Sequence, residues 1–138
     1  MNMKVRNVYF LVAGVLAMLF AFTHAWNGQS AVLPTLLVNS ISLDNRILFS
    51  YVWHIITAEN LVFAIAFILM SLQNDQSKIQ SVAWMIVSLL IVRMMVILGI
   101  TAFYDLAALT NTLIDSIAIV IYVVLIILGI TMSRKKFS

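Results

Sequence analysis

The chain has 138 residues, 64% of them hydrophobic and 9% charged, with a formal net charge of +3 and no cysteine. A soluble domain carries about 25% charged residues, so this chain has too few to cover a surface in water, and lipid is its natural solvent. The lack of cysteine excludes disulfides, iron–sulfur clusters and thiolate metal sites, while the positive residues lie at the chain ends and in one loop, where they act as topology signals and not as a nucleic-acid patch.

Four apolar runs succeed one another along the chain. The first spans Val8 to Trp26. Lys4 and Arg6 before it and Thr23–His24–Ala25 near its end give it a likeness to a signal peptide, but it is read here as a retained helix. The second run, 47–71, follows a sizeable loop, Asn27 to Arg46, that holds the single proline, Pro34, and an apolar stretch, Ala31–Val38. That loop is expected to form a short interfacial or re-entrant segment capping the bundle. A short polar loop, Gln73–Gln80, leads into the third run, 79–104, and a tighter turn, Asp105–Asn111, into the fourth, 106–132. Each run is near or above the ~20 residues that cross ~30 Å of hydrocarbon. Backbone in lipid must satisfy its own hydrogen bonds, and helices do so. The expected fold is all-α: a transmembrane four-helix up-down bundle in a single domain, 1–138, with no appended soluble module.

Charge sets the orientation. Lys4, Arg6, Lys78, Arg134, Lys135 and Lys136 fall on one side of a chain that crosses four times, against Arg46 on the other. The positive-inside rule then places both termini in the cytoplasm, in a bacterial inner membrane. Trp26, Tyr51, Trp53, Phe103 and Tyr104 mark the outer boundary, and Tyr9, Phe10 and Trp84 lie toward the inner one.

Antiparallel neighbours allow residues of equal depth to be matched. His24, His54 and Asp115 then share an outer level, and Glu59 and Arg93 share one near the bilayer centre. A charge at a helix centre costs about 2.5–3.5 kcal/mol, so Glu59 and Arg93 are expected to pair, with Asp115 as a second partner for Arg93. Ser50, His54, Thr57 and Asn60 form a polar stripe on the second helix, and Asn111, Asp115, Ala118 and Tyr122 share a face of the fourth. Glu59 lies roughly 140° round the helix from His54 and points at another neighbour.

These residues admit several chemistries. Two imidazoles and a carboxylate at His24, His54 and Asp115 suit a divalent metal such as zinc, iron, manganese or copper. His24 and His54 alone suit the axial positions of haem b, or a quinone. The whole polar set suits proton or small-ion movement. Against these stands a purely structural role: histidines in the headgroup region, and Glu59–Arg93 with Asn111–Asp115 fixing helix register. Met85, Met94 and Met95 read as packing residues. No nucleophile elbow, phosphate-cradling glycine loop or HExxH occurs, and Thr57 and Ser50 beside His54 have ordinary backbone-bonding roles.

His24–Ala25–Trp26 closing the first helix, Gly28 and Val32–Leu33–Pro34 after it, and Trp53–His54–Ile55–Ile56–Thr57 in the second helix together resemble an uncharacterised family of small bacterial four-helix integral membrane proteins. The resemblance covers the first half of the chain. It implies that the two histidines belong together and brings no activity with it.

The expected function is therefore a buried polar site in the outer half, supported by Thr57, Asn60 and Asn111, that binds or moves a metal, a proton or a small ion. A haem- or quinone-binding redox protein is the first alternative. An accessory subunit of a larger membrane complex is the second, and a homo-oligomer is compatible with all three. Enzyme or non-enzyme stays open at this point.

Overall fold

The structure, a computed structural model, describes residues 4–38 and 41–135, and among them its regular structure is all helical, with no strand. Helix α1 covers Val8–Asn27, α2 Leu33–Val38, α3 Leu43–Leu72, α4 Gln76–Tyr104 and α5 Leu109–Lys135. Four helical stretches, beginning at Val8, Leu43, Lys78 and Leu106, are long and apolar enough to cross a bilayer. The chain is thus a multi-pass membrane protein.

The helix ends follow from local chemistry. Asn7 caps α1: its backbone is extended and its side-chain oxygen accepts from the Phe10 N–H at 3.1 Å. Ser42 caps α3, with Asp44 in the first turn where the helix dipole favours a negative charge. Asp105 accepts from the Ala108 N–H and starts the single 3₁₀ turn, Leu106–Ala108, that leads into α5.

The expected loop after the first helix is mostly helix. The chain leaves α1 through a π-helical segment, Gly28–Val32, and runs directly into α2. The Leu33 N–H bonds the Gly28 carbonyl, five residues back. Pro34 supplies the physical reason. Its ring would collide with the carbonyl four residues earlier in an ordinary helix, and it has no N–H to give. Widening the preceding turn relieves that conflict without ending the helix. The third span likewise starts early, at Gln76, and the second at Leu43 instead of near Ile47.

The helices associate as two pairs. α1 packs most extensively on α3, and α4 on α5; α1 also meets α5, whereas α3 and α4, although consecutive in sequence, barely touch. The first pair is drawn together by small residues. Ala13, Gly14, Ala17 and Ala21 are buried on α1, and a Cβ on Gly14 would come within 2.7 Å of Ile68. Such small residues let backbones approach where lipid gives no hydrophobic drive between helices.

At the end that holds the chain termini the pairs are locked together. Ser71 O accepts from the backbone N–H groups of Arg6 and Asn7 at 2.7 and 3.2 Å, and Asn7 Nδ2 donates to Gly129 O at 2.8 Å. Gly129 gives the Phe10 ring room, since a Cβ there would lie 2.7 Å from it. Asn7 thus ties α1 to α3 and α5 at once. Asn7→Ala is expected to lower stability by about 1–2 kcal/mol, read as a fall in the thermal midpoint in detergent; an unchanged midpoint would contradict this role.

The core lies entirely in this half. It consists of Phe10, Ala13 and Ala17 from α1; Phe63, Ala64, Phe67 and Met70 from α3; Ile79, Ala83, Ile86, Val87 and Leu90 from α4; and Tyr122, Ile126 and Ile130 from α5. Among the described residues no buried side chain occurs on α4 beyond Leu90, on α3 before Asn60 or on α5 before Ser116. In the other half, called here the loop half, the two pairs part.

Candidate functional site

Helical faces show what lines the gap. The stripe of buried residues on α3 continues toward its start through Thr57 and Trp53, the one on α4 runs on through Arg93 and Met94, and the one on α1 through His24. On α5, Asp115 lies on the face of Tyr122 and Ile126 yet is exposed, as is Asn111. Positions that would be core in a closed bundle are therefore polar and half-open in the loop half.

One bond spans the gap between α3 and α4. Arg93 Nη1 donates to Glu59 Oε2 at 2.7 Å, with side-chain exposures of 23% and 33%. A charge-assisted bond of this length is short and strong. It joins two helices that otherwise hardly meet. Arg93 is not spent by it: its Nε is buried with no hydrogen-bond partner.

His24 and Trp53 form the second feature. Their rings are stacked with centroids 4.3 Å apart and planes 6° from parallel. The indole Nε1–H donates to the His24 carbonyl at 2.9 Å. The indole lies over Gly28, where any Cβ would collide with it. Trp53 was expected among the boundary aromatics. It is instead turned inward, while Trp26, Phe103 and Tyr104 are exposed at 77%, 81% and 80%. His24 Nε2 is buried and has no partner. Both His54 and Arg93 lie within electrostatic range of this ring.

His54 is differently placed. Its Nε2 lies 2.8 Å from Gln29 Nε2. An amide nitrogen only donates, so His54 accepts and its own proton sits on Nδ1. Gln29 belongs to the π-helical segment, so this bond ties α3 to the widened turn. Depth alone had not revealed Gln29, because its partner depends on the extra residue in that turn.

Three further polar atoms are buried without a partner: Arg46 Nε in the first turn of α3, Thr57 Oγ1 and Tyr122 OH. Tyr122 packs edge-on against Phe20 at 5.5 Å and Phe67 at 6.2 Å. Helical side chains lean toward their own N-terminus, which on α5 is the loop half, so the phenol is directed toward the cleft from the core. Asn60 is buried one turn below Thr57. Helical spacing marks Thr57 and Asn60 as supporting groups in the sequence, and Tyr122 only as one member of a polar face. The signal it carried was a phenol at membrane depth, which is seldom left unpaired.

The expected metal centre does not form. Among the described residues no three His, Asp or Glu side chains are grouped closely enough to hold a metal ion. His24, His54 and Asp115 share a depth but not a direction, because His54 turns to Gln29 and Asp115 lies exposed on α5. Haem fits no better. Axial ligation requires two free ring nitrogens facing one iron, whereas His54 Nε2 is engaged by Gln29. Met85 and Met95 are exposed on α4 and add no ligands.

No family model, curated protein or solved structure matches the chain.

Proposed function

We propose that the chain is a bacterial inner-membrane protein whose loop half opens as a polar cleft that binds, and moves, a proton or small ion. One observation carries this reading. Of the five polar atoms buried without a partner among the described residues, four, His24 Nε2, Thr57 Oγ1, Arg93 Nε and Tyr122 OH, come from all four long helices around the point where the core ends, and the fifth, Arg46 Nε, lies in the first turn of α3. Buried polar groups in folded proteins are otherwise almost always bonded, and ionisable residues at membrane depth mark ion and proton paths.

The orientation has the same support. Lys4, Arg6, Lys78, Arg134 and Lys135 belong to the end where Asn7 bonds Ser71 and Gly129, and Arg46 belongs to the other. The termini are cytoplasmic on the positive-inside rule, so the cleft opens outward. The four-helix arrangement is then an up-down bundle closed at its cytoplasmic half.

Reconstitution into liposomes tests the function. With a pH-reporting dye inside and imposed gradients of protons, sodium, potassium, chloride or a small carboxylate such as acetate, the protein is expected to carry at least one of them, and His24→Ala to slow that flux. Flux equal to that of protein-free liposomes under every gradient would overturn the reading. Cross-linking that captured the chain only within a larger complex, with no flux on its own, would favour the accessory-subunit alternative.

A further inference from the structure

The atoms left unsatisfied in the cleft have a common character. Arg93 Nε–H is a donor and never an acceptor. The Thr57 and Tyr122 hydroxyls each have a proton to give, and His24 Nε2 gives one in one tautomer. The acidic side of the cleft offers less. Glu59 is already engaged by Arg93 Nη1, and Asp115 lies exposed on α5. A cation entering here would meet donors and a carboxylate that is already paired.

We infer that the ion taken by this cleft is a small monovalent carboxylate, seated on the Nε side of Arg93 and bonded by the Thr57 and Tyr122 hydroxyls. The inference rests on the reading of the loop half as an ion site and names its ligand class. Arginine favours it because the planar guanidinium presents parallel donors that match a carboxylate. Charge favours it over a phosphate. A single arginine, already shared with Glu59, would face two or more negative charges in a medium where Coulomb terms are large. His24 lies within electrostatic range of the same arginine and offers a further donor in one tautomer.

Such a ligand has two sources. A soluble carboxylate reaches the cleft from the loop side. An amphiphilic one slips in from the bilayer between α3 and α4, which are held together chiefly by the Glu59–Arg93 bond. The chemistry at Arg93 is the same for both.

Trp53 supplies the readout, because it stacks on His24. The chain has three tryptophans, so in a W26F/W84F background Trp53 is the only one. This protein, in nanodiscs of neutral lipid, is titrated with sodium acetate, sodium octanoate and sodium chloride while Trp53 emission is followed. A saturable change with a carboxylate and none with chloride is expected. Acetate acting by itself identifies the aqueous route, and octanoate acting where acetate does not identifies the lipid route. Tyr122→Phe and the paired substitution Glu59→Gln/Arg93→Gln, which removes both charges together and so keeps the helices neutral, should each weaken binding. The pair should do so by about tenfold or more, as loss of a charge-assisted bond does. Glu59→Gln alone should tighten it, since Arg93 is no longer shared. Unchanged carboxylate affinity in the doubly substituted protein overturns the inference. A saturable response to sodium chloride without one to carboxylate also overturns it, but leaves the ion site standing. No response to any salt, together with no liposome flux, removes both.

Discussion

Replacing Glu59 by alanine is expected to lower the thermal midpoint of the protein in detergent more than replacing Glu59 and Arg93 together by glutamine. The single change leaves a guanidinium at membrane depth with no counter-charge, and its Nε already lacks a partner. Breaking a fully buried pair from one side costs about 3–5 kcal/mol. Both side chains here keep part of their exposure, so about 2–3 kcal/mol is the expected loss once solvent screening is allowed for. Two glutamines carry no charge and can bridge α3 and α4 by a hydrogen bond from one side-chain N–H to the other's carbonyl, so their loss should be nearer 1 kcal/mol. Equal midpoints for the two proteins would show that Glu59–Arg93 does not hold the pairs together.

Gly28→Val is the second large effect. A Cβ at this position overlaps the Trp53 indole at Nε1, Cδ1 and Cε2. The ring has nowhere easy to go, because it is stacked on His24 and bonded to the His24 carbonyl. Overpacking of this kind costs about 1–3 kcal/mol. It should also displace His24, so flux and stability fall together. Gly99→Val is the control: nothing lies within 4 Å of a Cβ at Gly99, and its midpoint should stay near that of the parent chain. Adding Trp53→Ala to Gly28→Val should cost less than the separate changes combined, because the collision is gone. Strict additivity would place Gly28 and Trp53 apart.

The comparison of sequence with structure divides along a physical line. Hydropathy reports depth, and depth was readable: the four spans begin within a few residues of where the apolar runs put them, though the first runs on to Leu37 instead of ending near Trp26, and matching levels placed Arg93 beside Glu59, to which it is bonded. Direction round each helix was less readable. His24, His54 and Asp115 have one depth, but His54 faces Gln29 and Asp115 is exposed. The π-helical segment lay outside any hydropathy signal, since it adds a residue to a turn without altering apolar content. Its cause, Pro34 just after an apolar helix, was visible, but pointed to a separate interfacial or re-entrant segment because proline more often ends a helix than widens it. Trp53 was misassigned for a related reason. A tryptophan near a span boundary usually marks the interface, and only the absent side chain at Gly28 makes room for it inside.

The spacing of the ion pair along the chain bears on how the protein is made. Glu59 and Arg93 are 34 residues apart, so during synthesis α3 emerges with its acid before the cation of α4 exists. Until α4 follows, α3 holds Glu59 in the bilayer without its counter-charge, and a lone charge at that depth is costly. The pairing of the last two helices with the first two is in this sense timed by the ribosome, and a longer connection between Leu72 and Gln76 would lengthen the interval during which Glu59 stands alone.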